Sequence, residues 1–154
     1  MNVLRTDSND PDFLKLVDLL NAELARVDGE DHAFYSQYNG LEEIRKVVLC
    51  RDDSNVVGCG GLKSMNGGRV EIKRMYVRPE KRGKGIAGMI LKELENWARE
   101  LGNQMIVLET GKRLPQAIRL YERYGYKRIP NYEPYVGIEN SVCFEKVFSN
   151  EVGR

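Results

Sequence analysis

A short basic loop rich in glycine, Val77-Arg78-Pro79-Glu80-Lys81-Arg82-Gly83-Lys84-Gly85-Ile86-Ala87, constrains this chain more than any other segment. It stands between a strand-like run and a helical one, so the fold must deliver a strand into a helix N-terminus at that point. On the near side, Val47-Val48-Leu49-Cys50 reads as a strand and Asp52-Asp53-Ser54-Asn55 as a turn. Val56 to Met65 is a second strand, with Gly58, Gly60 and Gly61 weakening it or marking a close backbone approach. Asn66-Gly67-Gly68 is a hairpin turn, and Arg69 to Val77 completes an antiparallel meander. On the far side, Ile86, Ile90, Leu94, Trp97, Ala98 and Leu101 recur at helical spacing until Gly102.

The flanks extend the pattern. Asn2 to Arg5 suits a first strand. Asp10-Pro11 is an N-cap with proline at the first helical position, and Phe13, Leu16, Val17, Leu20, Leu24 and Val27 follow at helical spacing up to Gly29. Asp31 to Gly40 fits a loop or a short helix. Met105-Ile106-Val107-Leu108 is a continuous apolar run, as in a strand covered on both faces. Pro115 to Tyr124 reads as a helix capped by Gly125; Tyr126 to Ile129 and Ser141 to Phe148 read as strands around a turn-rich loop. The expected fold is α/β (α+β), a mixed, mostly antiparallel sheet flanked by helices, in one domain over residues 1–154.

Composition removes several function classes. With 24 Lys and Arg against 23 Asp and Glu, no global basic field exists to hold a nucleic acid. Cys50, Cys59 and Cys143 are widely spaced in apolar stretches and read as small buried hydrophobes, and with His32 as the one histidine no metal site is expected. The opening residues lack the apolar core of a leader peptide and no run approaches the ~20 residues of a bilayer span, which points to the cytoplasm and to no membrane partner.

The loop itself is built for an anion. A helix N-terminus has unpaired N–H groups and partial positive charge, and glycines let that backbone close on a phosphate. Arg78, Lys81, Arg82 and Lys84 add local charge. Gly83-x-Gly85-x-x-Gly88 also satisfies the bare dinucleotide string, but it follows an antiparallel meander rather than opening a βαβ unit. A glycine-containing turn with a solvated basic face remains open on these residues alone.

Arg82-x-x-Gly85-x-Ala87, after a strand ending Met75-Tyr76-Val77-Arg78-Pro79, resembles the acetyl-coenzyme A motif of the GNAT N-acetyltransferases. Ala117-Ile118-Arg119-Leu120-Tyr121-Glu122-Arg123-Tyr124-Gly125-Tyr126 is similar to a later segment of the same family, and segments such as Glu71 to Val77 resemble its small single-domain bacterial members. The resemblance implies an acyltransferase that uses acetyl-CoA as co-substrate. It implies a bulged strand over Glu71 to Val77 that splays from Met105 to Leu108, with pantetheine pairing to backbone near Met75, Tyr76 and Val77. Pyrophosphate would rest on the amides of Arg82, Gly83, Lys84, Gly85, Ile86 and Ala87. Tyr121 occupies the position of the family's general acid. Glu71 is the first candidate base and Glu109 the second, with a water chain as the family's other route. Leu114 stands where many members carry asparagine. Phe34, Tyr35, Tyr38, Asn39, Tyr132 and Tyr135 lie where the family shapes its acceptor site. Alternation would put Glu71, Lys73, Met75 and Val77 on one face. The expected partners are acetyl-CoA and a small amine acceptor, with a homodimer expected from the family alone. A protein or peptide acceptor, a non-catalytic acyl-CoA sensor and a nicotinamide-dependent oxidoreductase are the competing readings.

Overall fold

The computed structural model describes residues 1–37, 40–41 and 43–148. The chain forms β1 (Asn2–Thr6), α1 (Pro11–Asp28), α2 (His32–Ser36), β2 (Ile44–Asp52), β3 (Asn55–Ser64), β4 (Arg69–Val77), α3 (Ile86–Glu100), β5 (Met105–Gly111), α4 (Pro115–Arg123), β6 (Lys127–Ile129) and β7 (Ser141–Val147). The strands make one seven-stranded sheet in the order β1-β2-β3-β4-β5-β7-β6. Every neighbouring pair is antiparallel except β4 and β5, which run parallel.

Local signals account for most boundaries. The Asp10 carboxylate accepts from the Asp12 amide at 2.8 Å, Pro11 opens α1, and Gly29 ends it at φ 53°. The helix buries Phe13, Leu16, Val17 and Leu20 against Val47, Leu49, Val56, Cys59 and Tyr76 on one face of the sheet. On the other face α3 lays Ile86, Ile90, Leu91 and Leu94 over Val48, Val57, Leu62 and Ile72, with α4 beside it. That packing explains a glycine of β3, since a Cβ on Gly60 would stand 2.5 Å from Met75 Sδ and 2.9 Å from Leu94 Cδ1. All three cysteines are buried and unbridged, as their apolar contexts imply.

The consequential irregularity lies in the centre of the sheet. The β3–β4 register shifts between Cys59 and Gly61, and Arg74, opposite the shift, has φ 60°. This is a β-bulge, and it reverses the side-chain alternation. Val70, Ile72, Met75 and Val77 all pack with the α3 cluster, so Glu71 and Lys73 point to the opposite face. The expectation that Glu71, Lys73, Met75 and Val77 share one face therefore fails, because one extra residue in β4 swaps the faces between Lys73 and Met75. The bulge also bends β4 away from its parallel neighbour. β4 and β5 pair only through Arg69–Met105, Val70–Ile106 and Glu71–Val107, and beyond Glu71 they separate.

Candidate active site

The separation of β4 from β5 opens a cleft of about 750 Å3 that passes through the sheet. One wall is β4 from Glu71 to Val77; the other is Glu109 to Gly111 of β5 with Leu114, Ala117, Leu120 and Tyr121 of α4 and its approach. Past Glu71 the β5-facing edge of β4 has no strand partner, so Met75 to Val77 offer backbone groups to whatever enters.

At one end the cleft meets the glycine-rich loop. Gly83 and Gly85 have φ 80° and 82°, in the left-handed region that favours glycine, and no atom lies within 4 Å of where their Cβ atoms would stand. Gly85 is the N-cap of α3, and the first intrahelical bond runs from the Met89 amide to its carbonyl. The amides of Ile86, Ala87 and Gly88 thus have no intrahelical acceptor and face the cleft end. This end of the cleft is therefore lined by backbone N–H groups free of intrahelical bonds beside two bare glycines. Its basic side chains are largely committed elsewhere. Arg82 donates through Nε to the Val77 carbonyl at 2.8 Å and through Nη2 to Glu23 at 2.9 Å, and it lies 5.4 Å over the Tyr76 ring. Lys81 pairs with Asp52 at 3.1 Å. The cations that line the cleft without an ion pair among the described residues include Arg119 and Arg123, one turn apart on α4. Sequence reasoning missed these two; their signal is the i, i+4 spacing that puts both on the helix face bearing Gln116. The third glycine of the string, Gly88, does a different job: a Cβ there would collide with the Tyr124 hydroxyl, so it lets α4 close on α3.

Midway, Tyr121 lies on the α3 side, 6% exposed, edge-on to Tyr126 at 5.8 Å and tilted against Phe144 at 6.1 Å. Burial, and then the charge of Glu109, push its phenol well above the ordinary range, so it stays protonated at neutral pH. Leu114 caps α4 without a side-chain hydrogen bond and lines the cleft with carbon only.

The other end is polar and half-buried. Glu71 is 4% exposed and accepts from the Tyr132 hydroxyl at 2.6 Å. Glu109 accepts from Ser141 Oγ at 2.7 Å, and burial pushes its carboxyl up to about 7, opposed by that hydrogen bond and by Lys73 and reinforced by Glu71. Lys73 donates to the Tyr135 hydroxyl at 3.2 Å. Asn140 donates to the Tyr35 hydroxyl at 3.3 Å. Tyr35 and Tyr135 thus line the cleft, Tyr132 engages Glu71, and Phe34 packs edge-on to Tyr35 at 5.1 Å. Tyr38 and Asn39 lie outside the described residues. Among the described residues there is no cluster of three or more potential metal ligands and no helix long and apolar enough to cross a membrane.

The cleft brings together a helix N-terminus with free amides, an open strand edge, a protonated phenol and a carboxyl titrating near neutrality. Comparison with known proteins agrees with that geometry. The model of the acetyltransferase (GNAT) family matches residues 13–126. An IAA acetyltransferase of Azospirillum brasilense is 34% identical over 102 residues, covering 66% of this chain and 67% of that protein. An uncharacterized N-acetyltransferase of Schizosaccharomyces pombe is 36% identical over 91 residues, 58% of this chain; the match spans about half, 54%, of that longer protein. Among solved structures, one described as an acyl-CoA N-acyltransferase from Klebsiella pneumoniae superposes with TM-score 0.81 at 28% identity, covering 96% of this chain and 97% of that one. The PaiA N-acetyltransferase of Thermoplasma acidophilum, in complex with coenzyme A, shares the fold with TM-score 0.70 at 18% identity, over 96% of this chain and 100% of that one. This chain belongs to the acetyltransferase (GNAT) family.

Proposed function

We propose that this protein transfers an acetyl group from acetyl-CoA to the primary amine of a small-molecule or amino-acid-like acceptor by direct attack in a ternary complex. The observation that carries this reading is the splay of β4 from β5 past Glu71, with a backbone anion cradle at one end and two carboxylates at the other. The amides of Arg82 to Ala87 hold the pyrophosphate, where positive-φ glycines leave the backbone bare. The open edge at Met75, Tyr76 and Val77 takes the pantetheine amides. The thioester then lies beside the bulge, between Tyr121 and the acceptor.

The chemistry needs a proton removed from the amine and a proton delivered to the departing sulfur. Glu109, titrating at about 7, is matched to the first task, since it is substantially ionised at neutral pH yet still basic enough to accept. Glu71, nearly buried and held by Tyr132, supplies the negative charge that helps keep Glu109 basic and attracts the ammonium form of the acceptor. As the amine nitrogen bonds to the carbonyl carbon and the C–S bond breaks, Tyr121 gives its proton to the thiolate. Its raised pKa keeps that proton available at working pH.

The test is thiol release from acetyl-CoA across a panel of small amines and short peptides, repeated with Tyr121→Phe. Turnover with a small amine, and a fall in kcat of about 100-fold in the variant, are expected. Full activity in Tyr121→Phe removes it as the acid. Acetyl-CoA binding without turnover on any amine sinks the enzymatic reading in favour of a sensor.

A further inference from the structure

The acceptor end of the cleft contains two consecutive cations that the mechanism leaves unused, Lys73 and Arg74. In a regular strand, neighbouring side chains point to opposite faces. The bulge changes this: with Arg74 at φ 60°, its Nη2 donates to Asn21 Oδ1 on α1, so it projects to the same side of the sheet as Lys73. An arginine in the left-handed region costs about 1 kcal/mol or more. Its surroundings therefore hold it there.

Neither cation is satisfied. Arg74 is 6% exposed, its Nε is buried with no hydrogen-bond partner, and neither it nor Lys73 forms an ion pair among the described residues. Lys73 is met by the Tyr135 hydroxyl and, at 5.9 Å, by the same ring. Burial lowers the pKa of both; on Lys73 the charges of Glu71 and Glu109 oppose that shift, and Lys63 and Arg74 add to it. Glu71 and Glu109 accept from the neutral Tyr132 and Ser141 hydroxyls, and Asp28 pairs with Arg113 at 3.6 Å, so none of the three makes a close ion pair with Lys73 or Arg74. Lys73 lies in the field of Glu71 and Glu109, whereas Arg74 is desolvated with no carboxylate acting on it, a costly state for a buried charge. The anion Arg74 lacks is one that a ligand entering the cleft it lines can supply.

We infer that Lys73 and Arg74 bind an anionic group of the acceptor, so that the acceptor is an amine bearing a carboxylate, held with its nitrogen toward Glu109. The site is then complementary to a zwitterion, with carboxylates facing the ammonium end and cations facing the carboxylate end. This rests on the function proposed above, but its test has an arm that does not.

In the turnover arm, L-amino acids are compared with their primary amides as acceptors. A preference of at least about tenfold in kcat/KM for the free acid is expected, as for charge-assisted recognition of a carboxylate. It should collapse to within about twofold in Lys73→Met and survive largely in Arg74→Lys, which keeps the charge and spares the fold. In the binding arm, the coenzyme A-loaded protein is heated with N-acetyl-L-amino acids or their amides. The acids alone should raise Tm, and Lys73→Met should abolish the rise. Equal use of acids and amides, a preference that survives in Lys73→Met, or no Tm rise with any acid would each overturn the inference. Should no amine be acetylated, the functional reading fails while the binding arm still decides this one.

Discussion

Replacing Glu109 with glutamine separates the catalytic reading from a merely structural one, because the two make opposite predictions about stability. Glu109 titrates at about 7 in the folded protein against an ordinary 4.5. That difference corresponds to about 3 kcal/mol at ~1.36 kcal/mol per unit. Its folded pKa is raised, so the folded state binds the proton more tightly than the unfolded chain does. The stabilisation is complete below pH 4.5 and is lost as pH rises through 7. At pH 8 the protein carries a half-buried ionised carboxylate at a net cost. Glutamine is neutral throughout and its Oε1 can still accept from Ser141 Oγ. Glu109→Gln should therefore match wild type near pH 4 and exceed it at pH 8 by up to about 3 kcal/mol, nearer 2 where partial exposure screens the charge. Urea denaturation at the two pH values measures this. In parallel, the wild-type kcat/KM should rise with pH through about 7, and the variant should lose that limb along with about 100-fold or more of its rate. A variant less stable than wild type at both pH values would mean that the carboxylate is structural. An unchanged ascending limb would assign the titration to another group.

Two further outcomes follow from packing rather than chemistry. Gly88→Ala should destabilise by about 1–3 kcal/mol and lower activity, because the added Cβ meets the Tyr124 hydroxyl and must push α4, with Tyr121, off α3; thermal denaturation and kcat read the two effects. Glu95, 6% exposed, accepts from the Tyr126 hydroxyl at 2.8 Å and from Lys146 at 3.1 Å, and Lys146 also donates to the Tyr124 carbonyl at 2.9 Å, tying α3 to the end of α4 and to β7. Lys146→Met should cost about 2 kcal/mol or more by leaving that carboxylate short of its counter-ion, and adding Glu95→Met should recover part of the loss; additive costs in the double variant would show that the pair is not coupled.

What the sequence reveals about this protein divides by the range of the interaction. Asp10 and Pro11 start α1, Gly29 stops it, and Asn66-Gly67-Gly68 turns β3 into β4, because those residues act on their own backbone. The apolar run at β5 and the heptad-like face of α3 are equally plain, since burial on a regular element repeats with its period. The bulge is not legible in this way: the family resemblance alone implies a bulged strand over Glu71 to Val77, and the structure has one at Arg74. It sits at an arginine, which favours no bulge, and it arises because β3 and β4 fall out of register across Gly60, a fact about pairing between strands. That non-local event governs the site. It turns Glu71 and Lys73 away from Met75 and Val77, brings Arg74 alongside Lys73, and parts β4 from β5. The pKa of Glu109 is hidden for the same reason, because burial and the charge of Glu71 raise it and neither is visible from position 109 alone. The loop end of the cleft depends on glycines at φ 80° and 82°, a backbone property that the residue type announces. The carboxylate end depends on which side chains a single extra residue leaves facing one another, and so it becomes readable only once the strands are paired.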